Sequence, residues 1–172
     1  MEKPAILGGE PVTRRKIPFI KIMISDEEKE AVSEILRSKI FVNGPYTKLL
    51  EEKFARYIGT KHAIAVSNGT DALILSYIAL GINLGAKVIT TPLTFIATAS
   101  TILHVGAIPI FGDVKQDGTL DPSYIANIDD SFSAITVVHL FGYPVDIDEF
   151  ISIAREYDCF LIEDAAHAHG AE

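Results

Sequence analysis

From residue 61 onward the chain alternates short apolar runs with helical patterns, and this alternation narrows the possible folds more than any other feature. The runs are His62–Val66, Val88–Thr91, Ile108–Phe111, Ala134–His139 and Phe160–Glu163. Helical patterns fall between and around them at Asp71–Leu80, Ile96–Val105, Pro122–Ala126 and Ile147–Tyr157. Runs apolar on both faces read as parallel strands, and parallel strands need crossover helices that cover both sides of a sheet. The expected fold is an α/β domain of three layers, α/β/α, built on a mostly parallel sheet.

The stretch before residue 61 has a different character. Residues 1–24 read as an extended arm punctuated by Gly8, Gly9, Pro11 and Pro18, with a basic cluster at Arg14-Arg15-Lys16. Residues 25–60 read as a helical segment. Ser25 and Glu28 have the spacing of a capping box, and Ala31, Val32, Ile35 and Leu36 recur at helical spacing. Asn43-Gly44-Pro45 marks a turn, and a second amphipathic helix runs over about 47–57 until Gly59 stops it. Residues 61–172 form the expected sheet domain.

Composition restricts the function classes. The chain has 172 residues, 48% of them hydrophobic, which is enough for a sizeable core. A net charge of −8 argues against a nucleic-acid partner, although local amides can still hold a small anion. The single cysteine, Cys159, lies in an apolar run and fits a packed residue in a reducing compartment. No apolar run reaches membrane-spanning length and Met1-Glu2-Lys3-Pro4 is not a signal-peptide start, so the expectation is a cytoplasmic protein without a membrane partner. The five histidines lack zinc-helix spacing, and no metal site is expected.

Unusual polar and aromatic residues gather just after the expected strands, on the sheet edge where open α/β sheets bind ligands. Ser67-Asn68-Gly69-Thr70-Asp71 joins a strand to a helix, with hydroxyls, a glycine and helix-opening amides, and so reads as an anion cradle. Phe95 follows the second run and can stack on a heteroaromatic ring. His139 ends the fourth and reads as a neutral, hydrogen-bonded imidazole. The fifth run, Phe160-Leu161-Ile162, stops in Glu163-Asp164, followed by Ala165-Ala166-His167. A carboxylate there can keep a pyridinium nitrogen protonated and strengthen the ring as an electron sink. Cradle, stacking ring and carboxylate together describe a pocket for pyridoxal 5'-phosphate.

These motifs, in this order and spacing, resemble the N-terminal half of the DegT/DnrJ/EryC1/StrS aminotransferases. The segments that carry the likeness are Asn43-Gly44-Pro45, Ser67–Leu73, Thr91–Thr98, Val138–Gly142 and Glu163–Ala171. The resemblance implies the large domain of the aspartate-aminotransferase fold (PLP fold type I), present here in part. It implies that Gly69 and Thr70 hold the cofactor phosphate, that Ser67 and Asn68 of the same motif belong to the cofactor-binding residues, that Phe95 stacks on the pyridine ring and that Asp164 meets its nitrogen. His167 falls where many members carry Gln, near the ring hydroxyl. The implied activity moves an amino group from glutamate or glutamine to a keto nucleotide-sugar or cyclitol, in a homodimer.

The family's Schiff-base lysine belongs to a Ser-rich segment that would follow Glu172, and neither Lys61 nor Lys87 fits that role. The expectation is an N-terminal portion of an aminotransferase, inactive or nearly so alone. The family's partner strands for His62–Val66 would also follow Glu172. The chain is therefore expected to rearrange its sheet, associate with another chain or belong to a longer protein. Two other readings stay open: a non-catalytic module that binds PLP or a nucleotide-sugar, and the family's dehydratase branch. A dehydrogenase is disfavoured because no G-x-G-x-x-G follows the first run.

Overall fold

The computed structural model describes residues 3–18, 20–128 and 131–171, which divide into two units, Met1–Pro45 and Tyr46–Glu172. The first unit holds a 3-10 turn at Ala5–Leu7 and helix α1, Asp26–Ser38. The expected capping box opens α1. The Glu28 amide donates to Ser25 Oγ at 3.2 Å, and the Ser25 amide donates to Glu28 Oε2 at 2.5 Å. Three acidic residues in the first turn face the positive end of the helix.

The second unit holds all but the first residue of helix α2 (Pro45–Ile58) and continues through α3 (Gly69–Ala79), β1 (Lys87–Thr90), α4 (Ile96–His104), β2 (Ile108–Phe111), α5 (Pro122–Ile125), β3 (Ala134–Val138), α6 (Ile147–Glu156) and β4 (Phe160–Asp164). The strands form one sheet in the order β2-β1-β3-β4, parallel at every pairing. Strand β3 is buried along its whole length, as a strand with helices on both faces must be.

Alternate strand residues enter the core on either side. Val88, Ala134 and Ile162 join Leu73 and Tyr77 of α3 and Ile102 of α4. Ile89, Ile135 and Val137 join Ile125 of α5 and Phe150 of α6. Cys159 packs at the margin of this second cluster, and burial pushes its thiol pKa up, away from a nucleophilic thiolate. The three-layer α/β expectation therefore holds.

His62–Val66 differs from the sequence expectation of a strand. It carries no regular secondary structure and joins no ladder among the described residues. The Ala65 amide turns instead to Glu51 Oε1 at 2.9 Å, and Ile64 is 82% exposed. Its β-branched residues favour extension, but a strand forms only where a neighbour supplies the ladder.

Candidate functional site

Connection across the sheet reverses between β1 and β3. Strand β1 leads to β2 on one side, whereas β3 and β4 lie on the other. Above such a reversal, beyond the carboxyl ends of the strands, the crossovers diverge and leave a crevice. A cavity of about 320 Å³ lies here, the size of a small-molecule site. Asn68, Gly69 and Thr70 line it from the start of α3, Phe95 from the segment after β1, and Asp164 and His167 from the end of β4.

The start of α3 explains the first wall. Asn68 is its N-cap, and its Oδ1 accepts the Asp71 amide at 2.8 Å. That bond leaves the amides of Gly69 and Thr70 without intrahelical partners, at the positive end of the helix. A Cβ built on Gly69 would meet nothing within 4 Å. No protein atom demands glycine there, so the open space remains available to a ligand. Ser67 is not brought into the cavity, because its hydroxyl donates to Asp71 Oδ2. Asn68 donates to the same carboxylate at 3.3 Å.

The opposite wall is the end of β4. Register pairs Val138 with Asp164, which brings the β3 and β4 termini side by side. Asp164 Oδ2 accepts a 2.8 Å hydrogen bond from Thr98 Oγ1, and its Oδ1 lies 3.4 Å from the Ala166 amide. Phe95 caps α4 from outside and is 69% exposed, its ring available at the cavity.

Beyond β3 the backbone makes a tight turn, Leu140–Gly142. Phe141 adopts a left-handed φ of 56°, a conformation that costs a bulky residue about 1 kcal/mol or more. The turn lays its ring parallel to the imidazole of His167, 6.2 Å between centroids. Gly142, at φ 84°, lies against the same segment, and a Cβ there would come within 3.1 Å of the His167 carbonyl. His169 is directed elsewhere, edge-on to Phe54.

His139 is buried, and its tautomer follows from its partners. The Val145 amide can only donate, so His139 Nδ1 accepts it, at 3.1 Å. Nε2 then carries the proton and donates to Glu163 Oε2 at 3.0 Å. The neutral, bonded imidazole expected from the sequence is present, and it ties the ends of β3 and β4 together. That hydrogen bond holds the Glu163 pKa below its ordinary 4.5, with desolvation opposing it. A depressed folded-state pKa contributes stability at neutral pH that is lost as pH falls below the ordinary carboxylate range. Glu163→Gln keeps an acceptor for Nε2–H but cannot be protonated. Its melting temperature should therefore decline less steeply than that of the wild type between about pH 5 and 3. Parallel pH profiles in thermal scans would refute this assignment.

Sequence reasoning did not single out Thr94 or Thr98. Their signal was a pair of hydroxyls four residues apart, Thr94 just before Phe95 and Thr98 in the first turn of α4.

A family model, the DegT/DnrJ/EryC1/StrS aminotransferase family, matches residues 23–172. The spore coat polysaccharide biosynthesis protein SpsC of Bacillus subtilis is 40% identical over 88% of this chain. The match takes in 40% of SpsC, so the chain spans about two fifths of that curated relative's length. Among solved structures, Helicobacter pylori PseC, an aminotransferase involved in the biosynthesis of pseudoaminic acid, superposes with a TM-score of 0.84 at 29% identity. That match covers 92% of this chain and 43% of PseC. NtdA from Bacillus subtilis, solved with bound cofactor PMP, superposes with a TM-score of 0.81 at 32% identity, over 91% of this chain and 39% of NtdA.

Proposed function

The chain belongs to the DegT/DnrJ/EryC1/StrS aminotransferase family, and on that premise we propose that it forms the cofactor-binding part of a PLP-dependent sugar or cyclitol aminotransferase. The amino donor is glutamate or glutamine, and the acceptor is a keto group on a nucleotide-linked sugar or cyclitol. One observation carries the reading: a single cavity lined by the helix-opening residues Asn68–Thr70, the exposed ring of Phe95, Asp164 and His167. These donors fit the group. The free amides of α3 suit a phosphate, the Phe95 ring suits a flat heterocycle, and a carboxylate suits a protonated ring nitrogen.

Bound PLP supplies an electron sink, and its capacity depends on that nitrogen staying protonated. In this proposal Asp164 holds the proton at the ring nitrogen. Thr70 and the backbone of Gly69 take the phosphate, with Asn68 keeping the helix start in shape. Ser67 serves the phosphate only after its hydroxyl leaves Asp71. His167, braced by Phe141, donates to the ring hydroxyl. Among the described residues no lysine lines the cavity, and in this reading the lysine for amino transfer comes from outside that lining. The same reading takes residues 1–24 as an arm, 25–60 as a helical segment and the rest as part of the large domain, in a cytoplasmic homodimer.

The test uses pyridoxamine 5'-phosphate, whose own amine removes the need for a lysine. The gene's full product should bind one equivalent per chain, in competition with inorganic phosphate. It should also transfer nitrogen from glutamine or glutamate to a keto sugar. Absence of saturable pyridoxamine 5'-phosphate binding would overturn the proposal.

A further inference from the structure

Resting on that cofactor reading, we propose that Thr98 is a positioning residue: its hydroxyl, itself fed by the hydroxyl of Thr94, fixes one oxygen of Asp164 and leaves the other to the cofactor's ring nitrogen. Thr98 is fully buried and lies in the first turn of α4. Its Oγ1 stands 2.8 Å from Asp164 Oδ2 and 2.8 Å from Thr94 Oγ1. A carboxylate oxygen only accepts, and a threonine hydroxyl has one proton to give. Thr98 must therefore donate to Asp164 and accept from Thr94, which sets the direction of both bonds.

Little else restrains that carboxylate. Among the described residues its other oxygen has only the long 3.4 Å contact with the Ala166 amide. An aspartate at a strand end otherwise has several staggered side-chain positions open to it. Thr98, by contrast, is well anchored. Its amide bonds to the Phe95 carbonyl at 3.1 Å, and its own carbonyl accepts Thr101 Oγ1 at 3.2 Å. Helix α4 also presents its positive end here, which adds to the preference for a charged group. Because Phe95 caps the same helix, the residue proposed to stack on the ring and the residue that aims the carboxylate move as one piece.

The experiment compares the gene's full product with its Thr98→Val and Thr98→Ser variants. Valine keeps the shape and removes the donor, whereas serine restores it. Affinity for pyridoxamine 5'-phosphate should fall about tenfold in Thr98→Val, the size of one lost charge-assisted hydrogen bond. It should stay within about twofold of wild type in Thr98→Ser, and inorganic phosphate should bind all three alike. Ligand-free crystal structures supply the second readout: Asp164 turned away in Thr98→Val and unmoved in Thr98→Ser.

Unchanged pyridoxamine 5'-phosphate affinity in Thr98→Val, or an unmoved Asp164 in that variant, overturns the inference. If the wild type binds no pyridoxamine 5'-phosphate, the cofactor reading falls while the position of Asp164 still decides the role of Thr98. Should Thr98→Val not fold, Thr94→Val probes the same chain of hydroxyls from its other end. An Asp164 that shifts there supports the relay, and one that stays put counts against it.

Discussion

Exchange of Asp164 for Asn is expected to weaken pyridoxamine 5'-phosphate binding on the order of 100-fold. The variant keeps an oxygen for the Thr98 hydroxyl, which the wild-type residue holds at 2.8 Å, so the local packing survives. What disappears is the negative charge. With its oxygen kept on Thr98, the asparagine turns its NH2 toward the ring, which suits an unprotonated nitrogen and opposes the protonated one. A hydrogen bond with a charged partner contributes about 1.5–3 kcal/mol, and each 1.4 kcal/mol is a factor of ten in affinity. Inorganic phosphate, which has no ring nitrogen, should bind the variant as it binds the wild type. Titration of both ligands against both proteins checks the expectation. Equal pyridoxamine 5'-phosphate affinity in Asp164→Asn would remove the carboxylate from the site.

The largest loss of stability is expected on the other face of the sheet. Phe150 of α6 is fully buried among Ile89, Ile135 and Val137. Phe150→Ala leaves a cavity where a benzyl group stood and should cost about 3–5 kcal/mol. Whole domains are stable by only about 5–15 kcal/mol, so a fifth or more of that margin is at stake. Urea denaturation of wild type and variant gives the shift in midpoint. The folded fraction should still bind pyridoxamine 5'-phosphate normally, because the cavity lies on other elements. Asp164→Asn and Phe150→Ala thus separate function from stability within one unit. Similar midpoints for wild type and Phe150→Ala would mean that α6 does not pack as described.

Local patterns made much of this legible. The capping box of α1 needs only Ser25 and Glu28, and both bonds are present. Apolar runs marked β1 to β4 because buried parallel strands must be apolar on both faces. Residues after those runs pointed to one edge because parallel strands end together. What escaped was non-local. His62–Val66 has the residues of a strand, but pairing depends on neighbours that no local window contains. The Thr98–Asp164 bond joins residues 66 positions apart, and nothing near either one announces the other. Ser67 looked like a cradle residue by type, yet Asp71, four positions on, competes for its hydroxyl. His139 was read correctly in kind. Its tautomer needed both partners, one on the Val145 amide and one across the sheet at Glu163.

The unladdered segment His62–Val66 also bears on how this chain should be handled. Folding of a single molecule proceeds at a rate independent of how many others are nearby, whereas pairing of an open β-prone stretch with a second molecule rises with concentration. Exposed, β-branched and with most of its amides outside any ladder, this segment offers a template of the kind that seeds association. Refolding yield of this chain on its own should therefore be governed by dilution more than by temperature.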